Sequence, residues 1–171
     1  MIGHDHWAYL DGGIHAWHAA GLPLARGAAP ATAATQVELN IDTGPIAEIP
    51  DVLAAIDDPG SVIWDARSEA EYLGLRSGSR RAGHVPGAVN LDWVELMDPP
   101  RHLRLIERLP ALLAAHGITP DKQVITHCQS HHRSGLTYLA ARLLGYPRVR
   151  AYHGSWSEWG NRDDTPVATQ R

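Results

Sequence analysis

Cysteine occurs once in the 171 residues, at Cys128. A single thiol excludes an internal disulfide framework and any zinc site built on several thiolates. Runs of lysine and arginine are missing, and the formal net charge is −4, which argues against nucleic acid as a partner. No apolar run approaches the length of a membrane span, so no membrane partner is expected. The amino-terminal "MIGHDHWAYLDGG" has neither a basic stretch nor an apolar one, so no signal peptide is expected. Together these absences point to a cytoplasmic setting.

What is present suits an ordinary globular core: 44% of the residues are hydrophobic and 20% are charged, in a length that fits one domain with some excess. Histidine is abundant, and four of the 11 (His4, His6, His15, His18) fall in the first 18 residues. Imidazole spacing alone is a weak metal signal, and these are expected to be surface side chains.

Residues 25–36, "ARGAAPATAATQ", have the composition of a linker. Alternation predicts a short strand over "VELNI" (37–41) and a buried one over "SVIW" (61–64). Between them "IPDVLAAI" (49–56) reads as a helix with Pro50 near its first turn. Ser68 with Glu71 three residues on is a capping-box pattern, so a helix begins at Ser68. A loop over 74–83 leads into a turn and strand in "GHVPGAVNL" (83–91). Helical spacing runs through 103–117, where Pro110 should kink or split it. Strand "KQVITHC" (122–128), helix "SGLTYLAARLLG" (134–145), strand "RVRAY" (148–152) and a short helix in "SWSEW" (155–159) complete the chain. This order predicts an α/β fold with a largely parallel sheet, in which ligands sit at the carboxyl ends of strands. Asp65 and Cys128 both fall at such ends.

A short internal repeat is also visible. "LDGGIHAW" (10–17), followed by Pro23, aligns with "YHGSWSEW" (152–159), followed by Pro166. Because the second copy closes the α/β unit, the first is expected to be the close of another such unit.

The loop "THCQSHHRSG" (126–135) carries the chemistry. Cys128 ends a strand, and a helix begins near Ser134. Such a loop can turn its backbone N–H groups inward as an anion-binding nest, with the positive end of the helix dipole aimed the same way. Both effects lower a thiol's pKa, and the thiolate is the reactive form. Four residues (Gln129, Ser130, His131, His132) separate Cys128 from Arg133. Loops of this build that attack phosphate carry one more. The smaller cradle suits a single sulfur held on the cysteine as a persulfide.

These residues resemble a rhodanese of the bacterial tandem-domain type. The loop "HCQSHHRSGLTYL" is similar to the Cys-Gln-x-His-His-Arg loop of one group of those enzymes. "DARSEAEYLG" (65–74), "GHVPGAVN" (83–90) and "GYPRVRAYHGSWSEWGNRDDTPV" (145–167) match further family signatures. The resemblance implies a three-layer fold, with a central, mostly parallel five-stranded sheet and helices on both faces. It implies a remnant of a preceding domain at 1–24, a linker at 25–36 and a catalytic domain at 37–168.

Function follows from the same resemblance. Cys128 would accept sulfane sulfur from a thiosulfate-like donor and pass it to a thiophile, cyanide or a thiol, with a protein as a further possible acceptor. The persulfide would be covalent, with no metal and no cofactor. Gln129, Ser130, His131, His132, Arg133 and Ser134 would wall the pocket, and Arg133 would draw the anionic donor. For the two histidines an ionic role and one of shape alone both stay open. Asp65 would hold the loop or pair with Arg67, and His84 would be a turn residue. Trp156 and Trp159 would lie at the pocket mouth or in the core. One departure stands out: many relatives carry arginine where this chain has Glu71, which leaves the donor open. The rival readings are a persulfide carrier with little turnover of its own, a phosphatase or arsenate reductase on the same fold, and a Cys/His metal site.

Overall fold

The computed structural model describes Gly3 and residues 6–169. His4 lies outside the described residues; His6, His15 and His18 are exposed. In chain order the elements are α1 (Gly13–Ala19), β1 (Ile46–Ala47), α2 (Ile49–Ala55), β2 (Ser61–Asp65), α3 (Glu69–Tyr72), β3 (Val89–Asn90), β4 (Met97–Asp98), β5 (Arg104–Leu105), α4 (Leu109–Ala115), β6 (Gln123–His127), α5 (His132–Leu143), β7 (Val149–Tyr152) and α6 (Ser155–Trp159). They form two compact units. Among the described residues, one comprises those up to residue 43 with 97–106, and the other 44–96 and 107–169.

The larger unit is built on a five-stranded sheet in the order β1-β7-β6-β2-β3, in which every pairing is parallel. Parallel sheets need cover on both faces, and β2 and β6 accordingly read as continuous buried runs. Alternation sorts their side chains. Ile63 and Ile125, which are register partners, join Val52 and Ala55 of α2 and Trp156 and Trp159 of α6 in one core cluster. Thr126 faces the other way, and its hydroxyl bonds that of Thr137 on α5. Helices therefore cover both faces, as an α/β chain requires.

Local sequence explains most boundaries. Ser68 caps α3, with the reciprocal bond returned by Glu71. Ser68→Ala is expected to cost about 1 kcal/mol, measured by denaturant titration. Pro110 stands in the first turn of α4, so it opens that helix rather than kinking a longer one. The expected helix from residue 103 is thus shortened, and Arg104–Leu105 pairs instead as β5 with β4. The strand expected over 37–41 does not form. Val37, Leu39 and Ile41 are 62%, 63% and 61% exposed, and alternation without a neighbouring strand makes no ladder.

The two copies of the internal repeat share local geometry. Gly13 and Ser155 occupy aligned positions and have φ of 53° and 51°. Trp17 Nε1 donates to the Pro23 carbonyl at 2.9 Å, and Trp159 Nε1 donates to that of Pro166 at 2.8 Å. Each copy is a left-handed residue opening a short helix, then an indole that ties down the exiting chain.

Candidate active site

The loop after β6 is shaped from behind. Two N–H groups from the first turn of α6 point at it: Trp156 N donates to the Cys128 carbonyl at 2.9 Å, and Ser157 N to the Gln129 carbonyl at 2.8 Å. With these carbonyls drawn to α6, the Ser130 N–H turns the other way, towards the Cys128 sulfur. Ser155 Oγ receives the Cys128 N–H at 3.3 Å and donates to the Tyr152 carbonyl at 2.9 Å. The left-handed Ser155, costly for a residue with a side chain, puts all three groups in place.

Cys128 itself is 1% exposed. Burial pushes its thiol pKa up. The Ser134 hydroxyl, 3.5 Å from the sulfur, and the N–H groups of Ser134, Ser130 and Arg133 outweigh burial and bring it below the ordinary value. The result is an amide nest at the start of α5 with a thiol pre-set to ionise. It can hold a thiolate, or a negative sulfur one bond further out.

Arg133 lies in the first turn of α5 and does not reach into open solvent. Its Nη1 and Nη2 donate to the two Glu71 oxygens at 2.8 and 2.9 Å. Glu71 also accepts from Ser68 Oγ at 2.8 Å. Burial works against the Glu71 charge, but the bonds from Arg133 and Ser68 prevail and lower its pKa from 4.5 to about 2. The guanidinium is raised in turn, chiefly by its bonds to Glu71. Glu71, which stands out in the sequence as an oddity, is thus the counter-ion of the loop's arginine.

A family model for the rhodanese-like domain matches residues 48–162. The chain belongs to that family. Thiosulfate sulfurtransferase of Azotobacter vinelandii is 49% identical over 167 residues, covering 98% of this chain and 61% of that protein. The sulfur carrier protein TtuD of Thermus thermophilus is 40% identical over 113 residues, covering 61% of this chain and 40% of its own. The chain thus spans about three-fifths of the first relative and less of the second. Among solved structures, the anaerobic ergothioneine biosynthesis enzyme of Chlorobium limicola, in complex with its natural substrate trimethyl histidine, superposes with a TM-score of 0.84. At 24% identity over 95% of this chain and 41% of that one, it speaks to the fold alone.

The remaining expected residues all lie within this rhodanese-like unit. Asp65 and Arg67 are both fully buried and pair with each other, Arg67 Nε lying 2.9 Å from Asp65 Oδ1. Arg67 also donates to the Gly83 carbonyl at 2.8 Å and lies 4.4 Å above the Trp156 ring. Trp156 and Trp159 are fully buried core residues, not walls of a pocket mouth. His84 stacks on Tyr72 with centroids 3.6 Å apart, and its backbone bridges Ala168. Gln129 Nε2 donates to Ser79 Oγ at 3.1 Å. Ser130 Oγ lies 3.2 Å from His132 Nδ1, and both residues are exposed. His131 turns inward on Ser134.

Three participants escape a reading of the sequence. Ser155 and Ser79 act from distant segments, and nothing in a serine advertises such a bond. His127, directly before the nucleophile, is fully buried with Nε2 3.8 Å from Asp65 Oδ2. Burial lowers its pKa more than Asp65 raises it.

Proposed function

We propose that the protein is a sulfurtransferase that moves sulfane sulfur from a donor such as thiosulfate to a thiophilic acceptor through a persulfide on Cys128. The observation that carries this reading is the thiol of lowered pKa inside a nest of backbone N–H groups. The Cys128 thiolate attacks the outer sulfur of thiosulfate. A new S–S bond forms, the old one breaks, and sulfite leaves with the bonding pair. The extra charge now rests on the outer sulfur of the persulfide, where the loop N–H groups stabilise it. A thiophile then attacks that outer sulfur and the thiolate is released. With cyanide the product is thiocyanate. Both displacements balance with the cysteine sulfur alone, and the covalent intermediate implies ping-pong kinetics. A single free thiol and the lack, among the described residues, of any helix able to span a membrane are consistent with a cytoplasmic site of action.

The test is mass spectrometry of the intact protein after incubation with thiosulfate. A gain of one sulfur atom is expected, absent when the thiol has first been alkylated and discharged by cyanide as thiocyanate. A sulfur gain that survives alkylation, or no gain at all, refutes the reading.

A second reading is favoured by the Glu71–Arg133 pair, which occupies the cation expected to draw a small anionic donor. Here the domain carries persulfide sulfur to a protein thiol and turns over little by itself. The likeness to a sulfur carrier protein supports it. A single burst of thiocyanate without steady turnover, together with discharge onto a protein thiol, distinguishes this reading from the first.

A further inference from the structure

The Cys128 sulfur has the Ser134 hydroxyl as a side-chain donor at 3.5 Å, beside a bond from the Arg133 guanidinium. Ser134 is fully buried, and its Oγ also lies 2.9 Å from His131 Nδ1. A serine hydroxyl carries one hydrogen. If that hydrogen points at sulfur, the contact with His131 closes only when Nδ1 carries a hydrogen of its own. If it points at Nδ1, the sulfur loses the Ser134 donor. The tautomer of His131 therefore decides where the Ser134 proton is spent.

We propose that His131 is a positioning residue: it keeps its hydrogen on Nδ1, donates to Ser134 Oγ and thereby commits the Ser134 hydroxyl to the Cys128 thiolate. The same commitment serves both displacements, because Cys128 Sγ is the attacking atom in the first and the leaving group in the second. The inference rests on Cys128 being the nucleophile of the proposed transfer.

The local structure is built for this. His131 precedes α5 in the left-handed conformation, with φ 65° and ψ −1°. A residue with a side chain adopts it at a cost, and histidine and asparagine accept it more readily than most. The turn brings the ring over Ser134, three residues on. On its other side the ring packs against His153, with centroids 4.4 Å apart. The titratable groups around it are His153, His132, Arg133 and the thiol itself. Burial, reinforced by His153 and His132, lowers the ring's pKa to about 4. Near neutral pH the ring is uncharged and has a single N–H, so its placement is a two-way choice.

The experiment follows alkylation of Cys128 by iodoacetamide against pH, in the full chain, for the wild type, His131→Asn, His131→Gly and Ser134→Ala, and for each His131 change combined with Ser134→Ala. Asparagine and glycine both suit the left-handed backbone, but only asparagine keeps a donor where Nδ1 lies. His131→Asn is expected to leave the thiolate midpoint in place. His131→Gly and Ser134→Ala are each expected to slow alkylation at neutral pH by about tenfold, as loss of one bond to a charged group implies. In the Ser134→Ala background the asparagine and glycine variants should coincide. If His131→Gly leaves the profile unmoved, or its effect persists undiminished without Ser134, His131 does not act through the serine. Nitrogen chemical shifts of the wild-type ring give an independent reading that needs no variant. A hydrogen on Nδ1 agrees with the proposal and a hydrogen on Nε2 overturns it. Neither measurement uses a sulfur donor, so failure here and failure of the transfer reading are told apart.

Discussion

Replacing Asp65 with alanine is expected to lower stability by about 3–5 kcal/mol, the largest loss anticipated for any single side chain in the buried polar cluster. Asp65 and Arg67 are both fully buried; Arg67 Nη2 also donates to the Gly83 carbonyl, its Nη1 is buried without a partner among the described residues, and its face lies on Trp156. Removing the carboxylate leaves a guanidinium shut away from water with no counter-charge, which costs more than the pair contributed. Replacing both partners, Asp65→Ala with Arg67→Met, should therefore recover part of the loss. Denaturant titration of the two single variants and the double variant decides: a double variant as unstable as the sum of the singles contradicts the account. The pH dependence has a definite sign. Burial alone would raise the Asp65 pKa. His127 beside it and Arg67, through both charge and hydrogen bonds, lower it. A depressed carboxylate contributes stability above its ordinary pKa and loses it as pH falls through the lower folded value. Asp65→Asn should flatten that acid limb.

The second large effect concerns the donor. Glu71→Gln is expected to raise kcat/KM for thiosulfate about 10- to 100-fold, most strongly at low salt. In the wild type both Glu71 oxygens bind the Arg133 guanidinium, so an incoming dianion meets a neutralised pair. Glutamine keeps the shape and one acceptor but removes the negative charge. At an effective dielectric constant of about 40 to 80, one unit charge roughly 6 Å from a dianion is worth about 1–3 kcal/mol, which is this range of rates. Added salt should narrow the difference. Steady-state rates of both proteins across ionic strength test it; an unchanged or lower kcat/KM means that the pair holds the loop rather than tuning its charge. Glu71 also links stability to pH. Its contribution is complete above 4.5 and is lost as pH falls towards about 2.

How far the sequence reveals these features depends on the range of the interaction. The parallel sheet, the capped start at Ser68 and the position of Cys128 between strand and helix are set by neighbours in the chain, and all are legible there. Pro110 was visible as a disturbance, yet whether it breaks a helix or begins one depends on whether residues 103–108 have a better place to go. They do, because Arg104–Leu105 pairs with β4. The strand expected over 37–41 has the right alternation and lacks a partner, which no local pattern supplies. In the loop, residue types suggest a cradle. The bonds that orient it come from Ser155, Trp156 and Ser157, more than twenty positions away. The pairing of Glu71 with Arg133 spans 62 positions. Such contacts belong to the fold and leave no mark in either segment alone.

The two N–H groups that α6 directs onto the carbonyls of Cys128 and Gln129 divide the chemistry into a part that responds to its surroundings and a part that does not. Peptide groups do not titrate, and a buried peptide bond is little touched by dissolved ions. A sulfur atom resting among amides held in this way should sit equally well in dilute or concentrated salt and across the neutral range. On the proposed reading, recruitment of its source depends on the Glu71–Arg133 pair, which answers to ionic strength and, through Glu71, to strong acid. Loading the sulfur should thus vary with the medium, while keeping it should not.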